Sequence, residues 1–194
     1  MPNYELHPAY KHWAAIERKM EANTGKPVQE WMKLVERECS ADRAERKQWL
    51  VSQGVGTTAA GCICDRLLGE MGPEDYDPER LVAEQYQGKR AALLPIYTRF
   101  LKIAEELGPE VKVSPCKTMV PLYRNHVFAQ ARPASNTRVD IGFALGDMTP
   151  TGRLIDTGGF AKKDRITHRI PIEDASEVDD EVAHWLREAF TRDA

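Results

Sequence analysis

Three sets of residues in this 194-residue chain have the types and spacing from which chemistry can be built. Cys62 and Cys64 offer two thiols two residues apart. Glu110-Val111-Lys112 has the E-x-K spacing seen in many nuclease sites, with Asp140 as a conceivable partner carboxylate. The third set mixes cations with aromatic rings: Lys117, Tyr123, Arg124, Phe128, Arg132, Arg138 and Arg169. Gathered on one sheet face, those residues would hold an anion or stack on bases.

Each set has a plainer reading. Residues two apart on an α-helix lie about 200° apart around its axis, so Cys62 and Cys64 cannot readily share one ion and read as small core residues. Nuclease sites usually place the metal-binding Asp before E-x-K, and here the order is reversed. The five histidines (His7, His12, His126, His168, His184) form neither H-E-x-x-H nor H-x-x-E-H. Neither G-x-S-x-G nor G-x-x-x-x-G-K-[ST] occurs, so metal hydrolases, serine hydrolases and P-loop enzymes lose their support. His168 falls on an apolar strand face and reads as a hydrogen-bonded core histidine. The pattern therefore assigns no catalytic residue, no metal site and no cofactor.

Gly54-Val55-Gly56, followed by Thr57 and Thr58, resembles the turn of helix-hairpin-helix modules. There the glycines let backbone N–H groups at a helix N-terminus approach a DNA phosphate. The Lys or Arg common after the second glycine is missing. A glycine helix end followed by a threonine N-cap explains the same residues.

The elements that must position these residues follow from apolar spacing. Trp13, Ile16 and Met20 share a helical face that closes at Thr24-Gly25. Val28, Trp31, Leu34 and Val35 make a second stripe from Pro27, and Ser40 reads as the N-cap of a third helix carrying Ala44, Trp49 and Leu50 to Gly54. Three tryptophans on three short helices imply one bundle core. Gly69 to Pro78 is loop-like in composition. Within Leu81–Leu107 runs the expected longest helix, with a break near Leu94 that puts Pro95 in a first turn.

After Pro109 the apolar period changes from 3.6 to 2. Short strands are expected at 111–113, 119–123, 127–131, 153–155 and 167–172. The clearest is Thr137–Leu145, which puts Val139, Ile141, Phe143 and Leu145 inward and Arg138, Asp140 and Gly142 outward. Ser176-Glu177-Val178-Asp179 resembles a capping box opening a last helix with Val178, Val182, Trp185, Leu186, Ala189 and Phe190 buried. The fold class is α+β: an N-terminal helical bundle (1–71), a linker (72–78), then an antiparallel sheet packed against two or three helices (79–194).

Composition narrows the class further. Hydrophobic residues make 42% and charged residues 29%, which suits a globular core rather than disorder. No apolar run reaches membrane-span length and the first residues lack a secretory signal, so a cytoplasmic protein without a membrane partner is expected. Four scattered cysteines agree with a reducing compartment. The net charge of −3 conceals a split: residues 112–172 carry ten cations against four acids, and residues 173–194 eight acids against two cations. A basic block before an acidic helix is either a face for an anionic partner or two elements that neutralise each other.

Two stretches resemble known families. Thr24-Gly25-Lys26, Glu30-Trp31, Trp49-Leu50 and Gly54-Val55-Gly56 are similar to a small helical module of uncharacterised bacterial proteins. Tyr97, Tyr123-Arg124, Phe128-Ala129 and Trp185–Phe190 resemble an uncharacterised bacterial α+β domain that sometimes follows it. The resemblance implies an architecture and transfers no activity. The functional expectation is a non-catalytic binding module that holds a protein or small anionic ligand on the basic sheet face or in a cleft between the modules. The alternative is a nucleic-acid binder using Gly54–Thr58 together with the sheet.

Overall fold

The stripe of Trp13, Ile16 and Met20 winds into α1 (Pro8–Thr24), and that of Val28, Trp31 and Val35 into α2 (Val28–Glu38). A computed structural model describes residues 2–69 and 75–194; positions 72–74 of the expected linker lie outside the described residues. Two further short helices, α3 (Arg43–Ser52) and α4 (Thr57–Leu67), complete the unit Leu6–Tyr76. Its core is Met20, Val28, Trp31, Val35, Leu50, Val55, Ala60, Ile63 and Cys64, with Trp49 edge-on to Trp31 at 6.4 Å. Trp13 is buried beneath the Arg66 guanidinium, 5.3 Å from its ring.

The T-G-K…W pattern is a clamp between α1 and α2. Thr24 donates its hydroxyl to the Met20 carbonyl at 2.7 Å and accepts the Trp31 indole N–H at 2.8 Å. Gly25 takes φ +74°, which a side chain would resist, and Lys26 places its ammonium 5.2 Å from the Trp31 ring. The N-cap of α3 is Asp42, whose carboxylate accepts the Glu45 N–H at 2.8 Å, and not Ser40 as the spacing suggested. Ser40 instead hydrogen-bonds the Glu45 carboxylate. Two acceptors stand near this helix start, and the carboxylate is the stronger partner for the dipole.

The second unit comprises Asp77–Ala194 together with residues 2–5. Its first helix is shorter than the apolar stripe suggested. Helix α5 (Pro78–Gln85) ends at Tyr86, a 3-10 segment spans Gly88–Leu93, and α6 (Leu94–Glu105) starts with Pro95 in its first turn. Gly88 at φ +59° breaks the run, and α1 is instead the longest helix among the described residues. Six strands follow: β1 (Lys112–Val113), β2 (Val120–Tyr123), β3 (Val127–Pro133), β4 (Val139–Phe143), β5 (Ile155–Asp156) and β6 (His168–Ile172). They form one antiparallel sheet in the order β1-β2-β3-β4-β6-β5, and the backbone of residues 3–5 bonds to Val113 at the β1 edge.

The last helix, α7 (Asp180–Arg192), is capped by Asp179, whose carboxylate accepts the Glu181 and Val182 N–H groups. The expected capping box at Ser176 is a separate 3-10 turn, Ala175–Glu177, capped by Asp174. Helices α5, α6 and α7 supply Val82, Ile96, Phe100, Val182 and Leu186 to one core with Val120, Ala131, Ile141, Phe143 and Ile170 of the sheet. The architecture is therefore α+β, with the helices of this unit on one sheet face. Among the described residues no helix is long and apolar enough to cross a membrane.

Candidate functional site

Strand pairing decides which residues leave the core. Ala131 lies opposite Ile141, which lies opposite Ile170; these point at the helices. One residue along, Arg132 lies opposite Asp140, Gln130 opposite Gly142, and Gly142 opposite Arg169. By the two-residue period these occupy the face turned away from the helices. Asp140 is the centre of that face. Its Oδ1 accepts Arg138 Nε at 2.9 Å and its Oδ2 accepts Arg169 Nη1 at 2.8 Å. Arg132 is exposed and, among the described residues, makes no ion pair.

A hollow of about 490 Å³ lies over this face, lined by Gln130, Arg132, Asp140, Arg165 and Arg169 among others. Its wall is the segment ending at Ile166, which can fold over the sheet because residue 142 is glycine. A Cβ there would stand 2.6 Å from Ile166 Cγ2 and 3.1 Å from Gln130 Cγ. Arg165 is anchored from beneath: its Nε donates to the Val127 carbonyl at 3.1 Å and its Nη2 meets Asp193 Oδ1. Asp193, its side chain 1% exposed, also accepts the Asn125 and His126 N–H groups at 2.9 and 2.8 Å and lies 3.1 Å from His126 Nδ1. One buried carboxylate thus ties the β2–β3 turn, the Arg165 segment and the end of α7 together.

Of the seven residues expected to bind a ligand, Arg132, Arg138 and Arg169 converge around Asp140. Lys117 is exposed at the tip of the β1–β2 loop, which Gln85 pins by donating to the Cys116 and Met119 carbonyls at 2.7 and 3.3 Å. Tyr123 is half-buried opposite Val127, and burial raises its phenol above the usual value. Burial also pushes the neighbouring Cys116 thiol up to about 11, so it stays protonated at neutral pH.

Two of the seven are engaged elsewhere. Arg124 lies 4.3 Å from the Phe190 ring and donates to the Phe190 carbonyl at 3.2 Å, so it closes the C-terminal end of α7. Phe128 is fully buried, edge-on to Phe190 at 5.3 Å. The cause is a β-bulge: Leu122 pairs with Ala129 and Tyr123 with Val127, leaving Phe128 as the extra residue. Both Phe128 and Ala129 then turn inward, which strict alternation cannot anticipate.

The hairpin residues have a structural account within the helical unit. The Gly54 N–H bonds to the Val51 carbonyl and the Val55 N–H to the Leu50 carbonyl, with Gly54 at φ +88°. That pair of bonds is a Schellman helix end, sealed by contact between buried Val55 and Leu50. Thr57 and Thr58 are exposed and neither caps α4; Gly56 stands at its N-cap position without a side-chain bond. Gly54, Gly56, Thr57 and Thr58 line a separate hollow of about 500 Å³ with His12 and Lys19.

The other chemical patterns dissolve. Lys112 pairs with Glu5 at 3.6 Å on edge strand β1. Two strands separate it from Asp140 on β4, roughly 14 Å at the usual strand spacing. His168 is buried between Thr167 Oγ1 at 2.9 Å and the Met148 carbonyl at 2.8 Å. Among the described residues no group of three His, Cys, Asp or Glu side chains could hold a metal ion.

Residues 82–192, which contain all six strands, α6, α7 and the second half of α5, match the family model described as a domain of unknown function, DUF5655. The chain belongs to that family. No curated protein and no solved structure matches the chain. The arginine face, the hollow above it and the Asp193 anchor all lie in the DUF5655 domain or within two residues of its matched span.

Spacing alone missed Arg165 at this site, and with it the exposed Phe160 five residues earlier in the same segment. The available signal was the stretch Gly158-Gly159-Phe160-Ala161-Lys162-Lys163-Asp164-Arg165. It pairs two glycines with an aromatic ring and three cations in a segment that has neither helical nor strand period.

Proposed function

We propose that the DUF5655 domain is a binding module whose open sheet face holds a small anionic ligand carrying phosphate or carboxylate groups. One observation carries the reading: Arg138 and Arg169 both bond to Asp140, and Arg132 stands opposite it in the sheet, beside a hollow of about 490 Å³ that Arg132, Arg165 and Arg169 line. Guanidinium groups match phosphate and carboxylate oxygens with paired donors. Asp140 holds two of them in position before any ligand arrives and leaves the group with surplus positive charge. Arg132, without an ion pair among the described residues, is the donor most available to the ligand. The hollow falls in the size range of small-ligand sites, roughly 300–1,000 Å³.

The test is ligand-induced stabilisation of the full chain by phosphate, pyrophosphate and citrate. A ligand at a hundred times its dissociation constant adds about 2.7 kcal/mol to stability and raises the melting temperature accordingly. Arg132→Glu and Arg169→Gln should each reduce that rise. No rise with any of the three anions at about 10 mM, far above a micromolar Kd, refutes the proposal, as does a rise that both variants retain.

A further inference from the structure

We infer that the anion taken by this face is a single strand of nucleic acid, its backbone on the arginines and one base stacked on Phe160. The inference rests on the anion-binding reading above, with the anion a phosphate of a longer chain rather than a free small molecule. A second hollow, of about 580 Å³ and lined by Phe160, Lys163 and Gly146, shares Asp164 and Arg165 with the first. The two lie on either side of Asp164 and Arg165 and together make a track for an extended ligand. Along it stand four cations, Arg132, Lys163, Arg165 and Arg169, against the carboxylates Asp140 and Asp164.

Phe160 is 59% exposed, more than any other large hydrophobic side chain among the described residues. It is presented by a built loop. Gly158 donates to Asp156 Oδ1 at 2.7 Å, Asp164 N–H to the Gly159 carbonyl at 2.9 Å, and Thr157 Oγ1 to the Thr167 carbonyl at 2.9 Å. Gly159 allows the tight return, since a Cβ there would stand 2.6 Å from the Ile166 carbonyl oxygen. An aromatic ring fixed in water beside a cationic path is the combination by which single strands are held: cations follow the phosphates and a ring stacks on a base. A duplex keeps its base faces covered and offers Phe160 nothing to stack on.

Fluorescence anisotropy of the full chain with labelled ten-nucleotide dT and U strands tests the inference. At about 50 mM salt both strands are expected to bind, with the slope of log K against log salt near −2 if Arg132, Arg165 and Arg169 each meet one phosphate. Phe160→Ala should weaken binding about 5- to 150-fold with little change in slope, and Phe160→Trp should retain it. Arg132→Gln should flatten the slope by about 0.7. Three results each overturn the inference: no binding of either strand, equal binding of a blunt ten-base-pair duplex, or affinity indifferent to Phe160→Ala. Binding of phosphatidylserine vesicles in preference to either strand also overturns it, because the ring and cations would then serve a lipid surface. If pyrophosphate still stabilises the chain through Arg132 and Arg169 in any of these cases, the anion site stands and only the ligand assignment falls.

Discussion

Replacing Phe128 by Ala separates a core ring from a ligand-facing ring. The side chain is fully buried and meets Phe190 edge-on, which in turn lies under the Arg124 guanidinium. Truncation removes the ring from a packed interior, leaves a cavity and loses the aromatic pair, which together cost about 3–5 kcal/mol. With a urea dependence of about 2 kcal/mol per molar, the midpoint should fall by roughly 2 M. Phe128→Leu, which refills most of the volume, should lose about a third of that.

The assay must isolate the correct unit, because Trp13, Trp31 and Trp49 sit in the helical unit and only Trp185 in the sheet unit. Hydrogen exchange of peptides from β3 and β4 across a urea series reads the sheet unit alone. A midpoint lowered by less than about 0.5 M, below a quarter of the expected shift, would refute the burial argument. Loss of pyrophosphate binding in a variant of unchanged stability would restore Phe128 to the ligand face.

Two further perturbations test local claims. The Asp179 and Glu181 carboxyls are desolvated, which raises their affinity for protons, but Arg153 and backbone N–H groups outweigh this and hold both below the usual range. Their stabilisation is therefore present above the ordinary carboxylate range and lost as pH falls through the depressed values, so Arg153→Ala should flatten the fall in melting temperature below about pH 4.5; parallel curves for variant and parent defeat the argument. Lys163 is the one non-glycine residue at positive φ among those described, at +61°. Lys163→Gly should raise stability by about 0.5–1 kcal/mol by relieving that conformation, while weakening strand binding a few-fold through the lost cation; a lowered urea midpoint counts against it.

Periodicity was most readable where neighbours in sequence decide the structure. The inward set of β4, Val139, Ile141 and Phe143, follows from alternation, and the end of α3 at Gly54 follows from a glycine after an apolar stripe. Pro95 marked the start of α6 for the same local reason. What escaped were decisions made between distant segments. The bulge at Phe128 depends on how β2 and β3 pair, and Asp193 meets Asn125, His126 and Arg165 across at least 28 residues of chain.

The charge split shows the same limit at the site itself. Ten cations in residues 112–172 admitted two readings, mutual neutralisation with the acidic tail or a face for an anion. Residue by residue, neutralisation accounts for part of the block. Arg153 is taken by Glu181 and Asp179, Arg165 by Asp193, and Arg124 by the Phe190 carbonyl of α7. Arg132, Arg138 and Arg169 meet no carboxylate of the acidic tail among the described residues; Arg138 and Arg169 share Asp140 instead. Arg165 belongs to both groups: its Nε and one terminal nitrogen are engaged below, yet it lines both hollows above. A ligand that meets Arg165 therefore meets a guanidinium already fixed by a buried carboxylate, so little of its side-chain freedom remains to be lost on binding. Asp193→Asn should therefore reduce the rise in melting temperature that pyrophosphate gives, although Asp193 is buried and lines neither hollow.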